Sequence, residues 1–142
     1  RQSALLTMVE RKTLYTVIIR LTGKRADLLA QAAIKGMKAL KNRIKTITFD
    51  NGLEFSEHEK IAHALDADIY FAHPYASWER GINENTNGLI RQYFPKGTDF
   101  NVVSDKAIQH VMDRLNNRPR KTRDCRSPNE LFRGLRVELL AA

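Results

Sequence analysis

Two acidic residues occupy positions where a carboxylate can do chemistry. Asp50 directly follows the apolar stretch 44–49, which is predicted to be a strand, and strand ends are where α/β sheets gather their ligand sites. Glu84 falls in the first turn of a helix predicted over 82–94 and stopped by Pro95. Carboxylates bind Mg²⁺ and leave open positions for substrate oxygens, so the pair suits metal-dependent phosphodiester chemistry.

The predicted helix that carries Glu84 has two different faces. Glu84, Asn87 and Arg91 follow the spacing i, i+3 and i+7, which puts them on one side. The opposite stripe consists of Ile82, Thr86, Leu89 and Tyr93. Asn87 and Arg91 are suited to hold a DNA backbone near the metals. For each acid alone, a purely structural role stays open, because Asp-Asn-Gly is a common turn and the helix dipole favours a first-turn Glu.

The remaining pattern predicts an α/β domain in which a mixed sheet is flanked by helices. Strands are predicted at 3–9, 14–21, 44–49 and 68–72. Helices are predicted at 25–40, from about Ser56 to Leu65, at 82–94, from Ser104 and from Pro128. Capping signals support three of these starts, at Ser56 with Glu59, at Ser104, and at Ser127 with Glu130. The polar link 10–13 predicts a hairpin, and 74–81 predicts a loop.

Charge favours a nucleic-acid partner. The chain has 24 Lys and Arg against 16 Asp and Glu, a net charge of +8. Each phosphate that a basic side chain neutralises releases condensed counterions, which favours binding to a polyanion. The densest basic cluster is Arg118, Arg120, Lys121, Arg123 and Arg126. This cluster is either a solvated turn or a patch that contacts phosphates.

Composition excludes several classes of protein. The length of 142 residues fits one domain. No stretch approaches the roughly 20 apolar residues that cross a bilayer, so no membrane span is expected. The single cysteine, Cys125, excludes an internal disulfide and fits a reducing compartment.

Trp78 and His73 each leave two interpretations open, whereas the other histidines considered do not. Trp78, with Tyr75 beside it in the predicted loop, either stacks on an unpaired base or anchors the loop on the core. His73 either lines the site or is a structural histidine. His58 and His63 share no helix face and are interpreted as surface residues.

Five segments together resemble one protein family. They are FDNG at 49–52, YFAHPY at 70–75, GINENTNG at 81–88, LIRQYFPKGTD at 89–99 and RLNNRPRK at 114–121. They resemble the retroviral-integrase-like core of bacterial insertion-sequence transposases, most closely the family numbered thirty. An octapeptide such as GINENTNG is specific, and the resemblance covers nearly the whole chain.

The resemblance implies a ribonuclease-H-like fold with an Asp, Asp, Glu metal site. Asp50 matches the second acid and Glu84 the third, with 33 residues between them. Such proteins use Mg²⁺ or Mn²⁺ to cut transposon ends and to join the 3′ hydroxyl to target DNA. The implied partner is double-stranded DNA, contacted through Asn87, Arg91, Trp78, Arg118, Arg120 and Lys121. A homo-oligomer when active and a bacterial, cytoplasmic, nucleoid-associated location are also implied.

The sequence departs from the family pattern in three places. Ala76-Ser77-Trp78 replaces the usual Ser-Pro-Trp, and Leu53 stands where Lys is common. The family's first acid is expected on a strand before Arg1, and residues 1–9 contain no Asp or Glu. We therefore expect a partial catalytic core at 1–133 that lacks its first, central strand, a C-terminal tail at 134–142, and no activity from this chain alone.

Three other functions remain open at this point. One is a catalytically inactive DNA-binding fragment of a truncated element. Another is a ribonuclease-H-like nuclease without strand transfer, and the last is a basic scaffold protein whose acids are incidental. Metal-dependent cleavage separates the transposase and the nuclease from the rest, and joining of a 3′ end to target DNA separates those two.

Overall fold

Strands and helices follow one another in nearly the predicted order. The computed structural model describes residues 4–10, 12–21, 26–41, 43–49, 57–71, 77–132 and 137–141. The strands are β1 (Ala4–Glu10), β2 (Thr16–Leu21), β3 (Ile44–Phe49), β4 (Asp68–Phe71) and β5 (Val137–Ala141). The helices are α1 (Ala26–Met37), α2 (His58–Leu65), α3 (Ser77–Tyr93), α4 (Asp105–Asn117) and α5 (Pro128–Phe132). Short 3-10 turns cover Lys38–Leu40 and Lys121–Arg123.

The predicted hairpin of β1 and β2 is confirmed. The two strands pair antiparallel, from Ala4 opposite Leu21 to Val9 opposite Thr16. Successive side chains of a strand point to opposite faces, and both strands are apolar on both faces. The hairpin is therefore buried between two helical layers, as the near-continuous apolar sequence requires.

The central strand of the sheet comes from the last described segment. The strand order is β2-β1-β5-β3-β4. β5 pairs antiparallel with β1, where Val9 lies opposite Leu140, and parallel with β3, where Thr48 lies opposite Leu140. β3 and β4 are also parallel. In the described sheet, the hairpin and the β3–β4 pair are therefore joined through β5.

The helices form a layer on each face of the sheet, so the predicted mixed α/β architecture is confirmed. α1, α2 and α5 contribute to one core with alternate residues of the strands. That core contains Leu6, Met8, Val17, Ile19, Ala33, Met37, Ile44, Ile47, Ile61, Leu65 and Phe132. α3 and α4 cover the other face, where the core contains Ile18, Ile90, Phe94, Phe100, Ile108, Val111 and Leu115.

Two segments differ from the prediction. The sequence assigned no strand to 134–142 and left the sheet without a central strand, whereas Val137–Ala141 forms β5 in the central position. A run of five apolar-rich residues has too little periodicity to identify it as a strand. Residues 77–81 were predicted as loop but begin α3. Glu79 and Arg80 are good helix formers, and they extend the helix despite Gly81.

The capping signals outside 50–56 are confirmed. The Ser104 hydroxyl accepts a hydrogen bond from the Ala107 N–H at 3.0 Å, which caps α4. At α5 the Ser127 hydroxyl accepts from the Glu130 N–H at 3.3 Å, while the Glu130 carboxylate accepts from the Ser127 N–H at 3.3 Å. This is the reciprocal pair predicted for a capping box. Ser56 lies outside the described residues.

A buried amide ties α4 to the edge strand β2. The Asn116 Oδ1 atom accepts from the Thr16 N–H at 2.8 Å, and the Asn116 Nδ2 atom donates to the Thr16 carbonyl at 2.9 Å. Both residues are buried. One side chain thus satisfies both backbone groups of an edge residue that has no strand on that side.

The four described glycines fall into two groups. A Cβ on Gly36 would lie 2.6 Å from Ile19 Cγ1, and Gly97 has a φ of +89°. Both positions therefore have a structural reason to be glycine. Gly81 and Gly88 lie inside α3, and a Cβ on either would meet nothing within 4 Å. Each therefore weakens the helix by about 1 kcal/mol relative to Ala with no packing advantage in the described structure.

In the described ranges, no helix has both the length and the apolar character that a membrane crossing requires.

Replacing Asn116 tests the tie between α4 and β2. Asn116→Ala is expected to lower the free energy of unfolding by about 1–3 kcal/mol for each Thr16 backbone group left without a partner. The exposed neighbour Asn117 accepts a hydrogen bond from Asn129 at 2.7 Å, and Asn117→Ala serves as the control with a smaller effect. Denaturant titration measures both. Equal losses would contradict the assigned role of Asn116.

Proline in β5 tests the central strand. Leu140→Pro removes an N–H from a strand that pairs on both sides, whereas Leu140→Ala keeps the backbone donor. We expect the proline variant to be less stable than the alanine variant by at least about 2 kcal/mol, because ladder groups lose their partners inside the sheet. Thermal unfolding followed by circular dichroism gives the comparison. Similar midpoints would exclude β5 from the centre of the sheet.

Alanine at the two kinds of glycine should act in opposite directions. Gly88→Ala is expected to raise the free energy of unfolding by about 0.5–1 kcal/mol, because open space surrounds the site. Gly36→Ala is expected to lower it by about 1–3 kcal/mol, because the new methyl group meets Ile19. Chemical denaturation of the two variants checks both signs. A destabilised Gly88→Ala variant would show a packing role for that glycine.

Candidate metal and nucleic-acid site

Helix α3 presents the predicted polar face to solvent. Glu84, Asn87 and Arg91 are all exposed, while Thr86 is 4% and Ile90 6% exposed. The predicted apolar stripe needs one correction. Ile90 is the buried residue near the end of the helix, and Tyr93 is 37% exposed. The carboxylate, the carboxamide and the guanidinium nevertheless share the exposed side of one helix, as the spacing predicted.

The first half of α3 is positioned by the β1–β2 hairpin. Ile82 packs against Val9 and Leu14. Leu14 has a φ of +63°, a left-handed conformation that costs a non-glycine residue roughly 1–2 kcal/mol. The Leu14 N–H donates to the Glu10 carbonyl at 2.7 Å, which closes the turn and keeps Leu14 facing Ile82. The turn therefore sets the place of the helix segment that carries Glu84.

The second half of α3 is positioned by α4 and the loop between them. Ile90 and Phe94 lie in the core that α4 closes. The Phe94 and Phe100 rings meet edge to face, with centroids 5.7 Å apart. Arg91 Nη1 lies 3.5 Å from the Phe94 carbonyl, a distance at which a hydrogen bond is weak. The Arg91 guanidinium is thus exposed and only loosely held, so it can reach a ligand.

The predicted metal site falls partly outside the described residues. β3 ends at Phe49, directly before Asp50, and Asp50 itself lies outside the described residues. Within the described part of the chain, no three His, Cys, Asp or Glu side chains come together as a metal site. Glu84 has the exposed carboxylate that a metal ligand needs, and its pairing with Asp50 remains a prediction.

Other predicted residues have mixed outcomes. Trp78 lies in the first turn of α3, not in a loop, and its side chain is outside the described part, as are Tyr75 and His73. His63 is exposed and His58 half-buried at the start of α2, in agreement with surface positions. Cys125 is an exposed free thiol.

Glu10 is the buried acid of the described sheet region, and its hydrogen bonds explain its burial. It is 4% exposed, and its Oε1 accepts from the N–H groups of Lys12 at 3.0 Å and Thr13 at 2.9 Å. Its carboxylate therefore closes the hairpin turn. The sequence placed Glu10 in that turn, within the polar link 10–13.

The basic cluster forms a closed turn, which we call the arginine turn (Arg118–Arg126). An antiparallel bridge joins Arg120 to Arg126, where the Arg120 N–H donates to the Arg126 carbonyl at 3.0 Å. The Arg120 carbonyl accepts from the N–H groups of Arg123 at 3.0 Å and Cys125 at 2.9 Å. Asp124 and Cys125 have left-handed backbone conformations, which lets the chain reverse in so few residues.

Arg120 differs from its neighbours because it points inward. It is 8% exposed, and its Nη2 donates to the Leu115 carbonyl at 2.9 Å near the end of α4. Arg118, Lys121 and Arg126 are exposed. Burial lowers the pKa of the Arg120 guanidinium, and the charges of Arg118 and Arg123 lower that pKa further. The sequence named Arg118, Arg120 and Lys121 alike as DNA contacts, but the structure presents only the other two at the surface.

The chain is similar to transposases over most of its length. It is 51% identical over 132 residues to the transposase for insertion sequence element IS4351 of Bacteroides fragilis, covering 93% of this chain and 40% of that protein. It is 40% identical over 133 residues to the transposase InsI for insertion sequence element IS30A of Escherichia coli strain K12, covering 93% of this chain and 35% of that protein. The chain thus spans well under half the length of these relatives. No protein-family model matches it.

The fold has a solved counterpart in a viral assembly. A chain of the simian T-cell lymphotropic virus intasome in complex with PP2A regulatory subunit B56 gamma superposes with a TM-score of 0.59 at 19% identity, covering 95% of this chain and 54% of that chain. At that identity the likeness concerns the fold alone, and it supports the predicted ribonuclease-H-like integrase core. The resemblance found in the sequence is confirmed: nearly all of this chain is similar to one part of insertion-sequence transposases.

Proposed function

We propose that this chain is the greater part of the catalytic domain of a DNA transposase. The proposed reaction is cleavage of phosphodiester bonds at transposon ends, followed by joining of the new 3′ hydroxyl to target DNA. The observation that carries the proposal is the 40–51% identity to insertion-sequence transposases along 93% of the chain. The exposed acid, amide and guanidinium of α3 give that similarity a chemical basis in this chain.

Glu84 and Asp50 would hold the divalent cation, Mg²⁺ or Mn²⁺. Bound there, the cation would activate the attacking oxygen and stabilise the leaving one. Glu84 suits this role because its carboxylate is exposed on α3 and is not committed to packing. Asp50 suits it because it follows β3, the strand beside the central strand β5. The first acid of the family pattern would complete the site.

Asn87 and Arg91 would orient the DNA backbone beside the metal. Arg91 offers a planar guanidinium that matches phosphate oxygens, and Asn87 offers both a donor and an acceptor. Both are exposed on the side of α3 that carries Glu84. Trp78 would stack on an unpaired base. The backbone contacts of Asn87 and Arg91 would fix the register of the protein on the duplex without reading its sequence.

Double-stranded DNA is the proposed partner, and a homo-oligomer is the proposed active form. The net charge of +8 supports an electrostatic attraction to DNA at any sequence. The proposed location is the bacterial nucleoid, where the substrate is. A catalytically inactive DNA-binding fragment is the second candidate, because the central position of the described sheet is filled by β5.

A charge-neutral substitution at Glu84 tests the metal site. Glu84→Gln should leave DNA binding unchanged or slightly tighter, because one negative charge is removed from a DNA-facing helix. In the chain extended upstream of Arg1 by the strand expected to carry the family's first acid, nicking of supercoiled plasmid DNA with Mg²⁺ or Mn²⁺ should fall on the order of a hundredfold or more when Glu84 is replaced, as when a group acting at the reacting atoms is lost. Glu59→Gln, on the exposed side of α2, removes the same charge elsewhere and should nick like the extended chain without a substitution.

The outcomes separate the candidate functions. Metal-dependent nicking that Glu84→Gln abolishes supports the catalytic site. DNA binding without nicking even by the extended chain favours the inactive DNA-binding fragment. Nicking that survives in Glu84→Gln would show that Glu84 is not a metal ligand, and failure to bind DNA at low salt would overturn the proposal of a DNA-handling protein.

A further inference from the structure

The arginine turn concentrates positive charge in a rigid frame. Five of its nine residues are basic, and Asp124 is its one acid. Backbone hydrogen bonds between Arg120, Arg123 and Arg126 close it internally. At its two ends, the Asn129 side chain donates to the Asn117 side chain at 2.7 Å. The spacing of the exposed cations is therefore set by backbone geometry before any ligand arrives.

The turn is also fixed to the rest of the molecule at two points. Arg120 Nη2 donates to the Leu115 carbonyl of α4, a group near the helix end that has no partner within the helix. Arg123 Nε donates to the Lys12 carbonyl in the β1–β2 hairpin turn. One guanidinium thus anchors the turn inward to α4, and another anchors it sideways to the sheet.

The buried position of Arg120 has a cost that its local contacts do not offset. A buried cation normally has an acid partner, yet Arg120 forms no ion pair within the described residues, and its Nε is buried without a hydrogen-bond partner there. Arg118 and Arg123 add repulsion. An anion bound at the turn would supply the missing negative charge.

The exposed side of the turn fits such an anion. Arg118, Lys121 and Arg126 are exposed, and none of them forms an ion pair with a described carboxylate. Arginine on an irregular, preorganised loop is well matched to phosphate oxygens, because its fork of donors loses little freedom on binding. Several adjacent phosphates match several adjacent cations better than a single free anion does.

We propose that the arginine turn is a DNA phosphate-binding site separate from the α3 face, in which Arg118 and Arg126 contact the backbone and Arg120 is a positioning residue that does not touch DNA. This rests on the proposed function, in so far as that function makes DNA the partner. The two surfaces would contact the duplex at two points, both on elements that pack against or bond to the β1–β2 hairpin turn.

The test measures how DNA affinity depends on salt. A short random-sequence duplex is titrated with the chain at several salt concentrations, followed by fluorescence anisotropy. The slope of log affinity against log salt is negative, and Arg118→Gln and Arg126→Gln should each make it shallower by about 0.9, the value for one lost phosphate contact. Lys106→Gln removes the same charge from an exposed site on α4 and should leave the slope unchanged.

Arg120 is tested without changing the exposed charges. Arg120→Met keeps a long apolar side chain in the buried position but loses the bond to Leu115, and such replacements of buried ions are often neutral for stability. The proposal expects a shallower slope of log affinity against log salt in this variant, although Arg118 and Arg126 are intact. Arg120→Lys keeps the charge and a donor that can reach the Leu115 carbonyl, and it should retain more of the slope than Arg120→Met.

The results distinguish this inference from the proposed function. If the unchanged chain shows no salt-dependent DNA binding, the proposed function fails. If it binds DNA but Arg118→Gln, Arg126→Gln and Lys106→Gln make the slope shallower by equal amounts, positive charge favours binding wherever it lies on the surface. The inference of a site at the arginine turn is then wrong. If Arg120→Met keeps the slope of the unchanged chain, Arg120 does not position the turn for DNA and that part of the inference is wrong.

Discussion

The double pairing of β5 is the constraint on which the sheet depends. β5 pairs with β1 on one side and with β3 on the other, so its backbone groups find partners in both directions. Without it, the hairpin and the β3–β4 pair would each present an open inner edge, which is costly inside a core. α3 contacts both β1 and β5, so the helix that carries Glu84 also lies where this pairing puts it.

Local signals in the sequence were sufficient for most of the fold. The apolar run at 44–49 coincides with β3. Ser104 and Ser127 mark helix starts because their hydroxyls accept hydrogen bonds from N–H groups of the first helical turn, which have no partner within the helix. The exposed face of α3 followed from helical spacing alone. Each of these features depends on residues within a few positions of one another, which is the range that pattern and propensity can cover.

Features that depend on distant partners could not be predicted. β5 is a strand because of β1 and β3, and nothing inside its five residues requires that pairing. The role of Asn116 depends on Thr16, a hundred positions away in the sequence. Arg120 looks like its exposed neighbours in sequence, yet the closed turn directs its side chain toward Leu115. The pairing of Asp50 with Glu84 also joins distant residues, and it was predicted from the family resemblance and not from local pattern; it stays a prediction.

The β1–β2 hairpin turn connects the two candidate ligand surfaces. Leu14 packs against Ile82 of α3, while the Lys12 carbonyl accepts from Arg123 of the arginine turn. Thr16, just beyond the turn, holds Asn116 of α4. Glu10 stabilises this turn from inside with its buried carboxylate. A change in the turn would therefore alter the position of both surfaces together.

Two glycines of α3 that make no packing contact should let the backbone hydrogen bonds of one part of the helix open more easily than those of another. Gly81 and Gly88 lie on either side of the stretch from Glu84 to Asn87, and neither gains packing that offsets its helix cost. Local opening requires least free energy where helix propensity is low and backbone hydrogen bonds are exposed. The amide protons around Glu84 should consequently exchange with solvent faster than those near Ile90, which the core protects. Glu84 thus lies on a segment that can adjust its backbone while the end of α3 near Ile90 stays packed in the core.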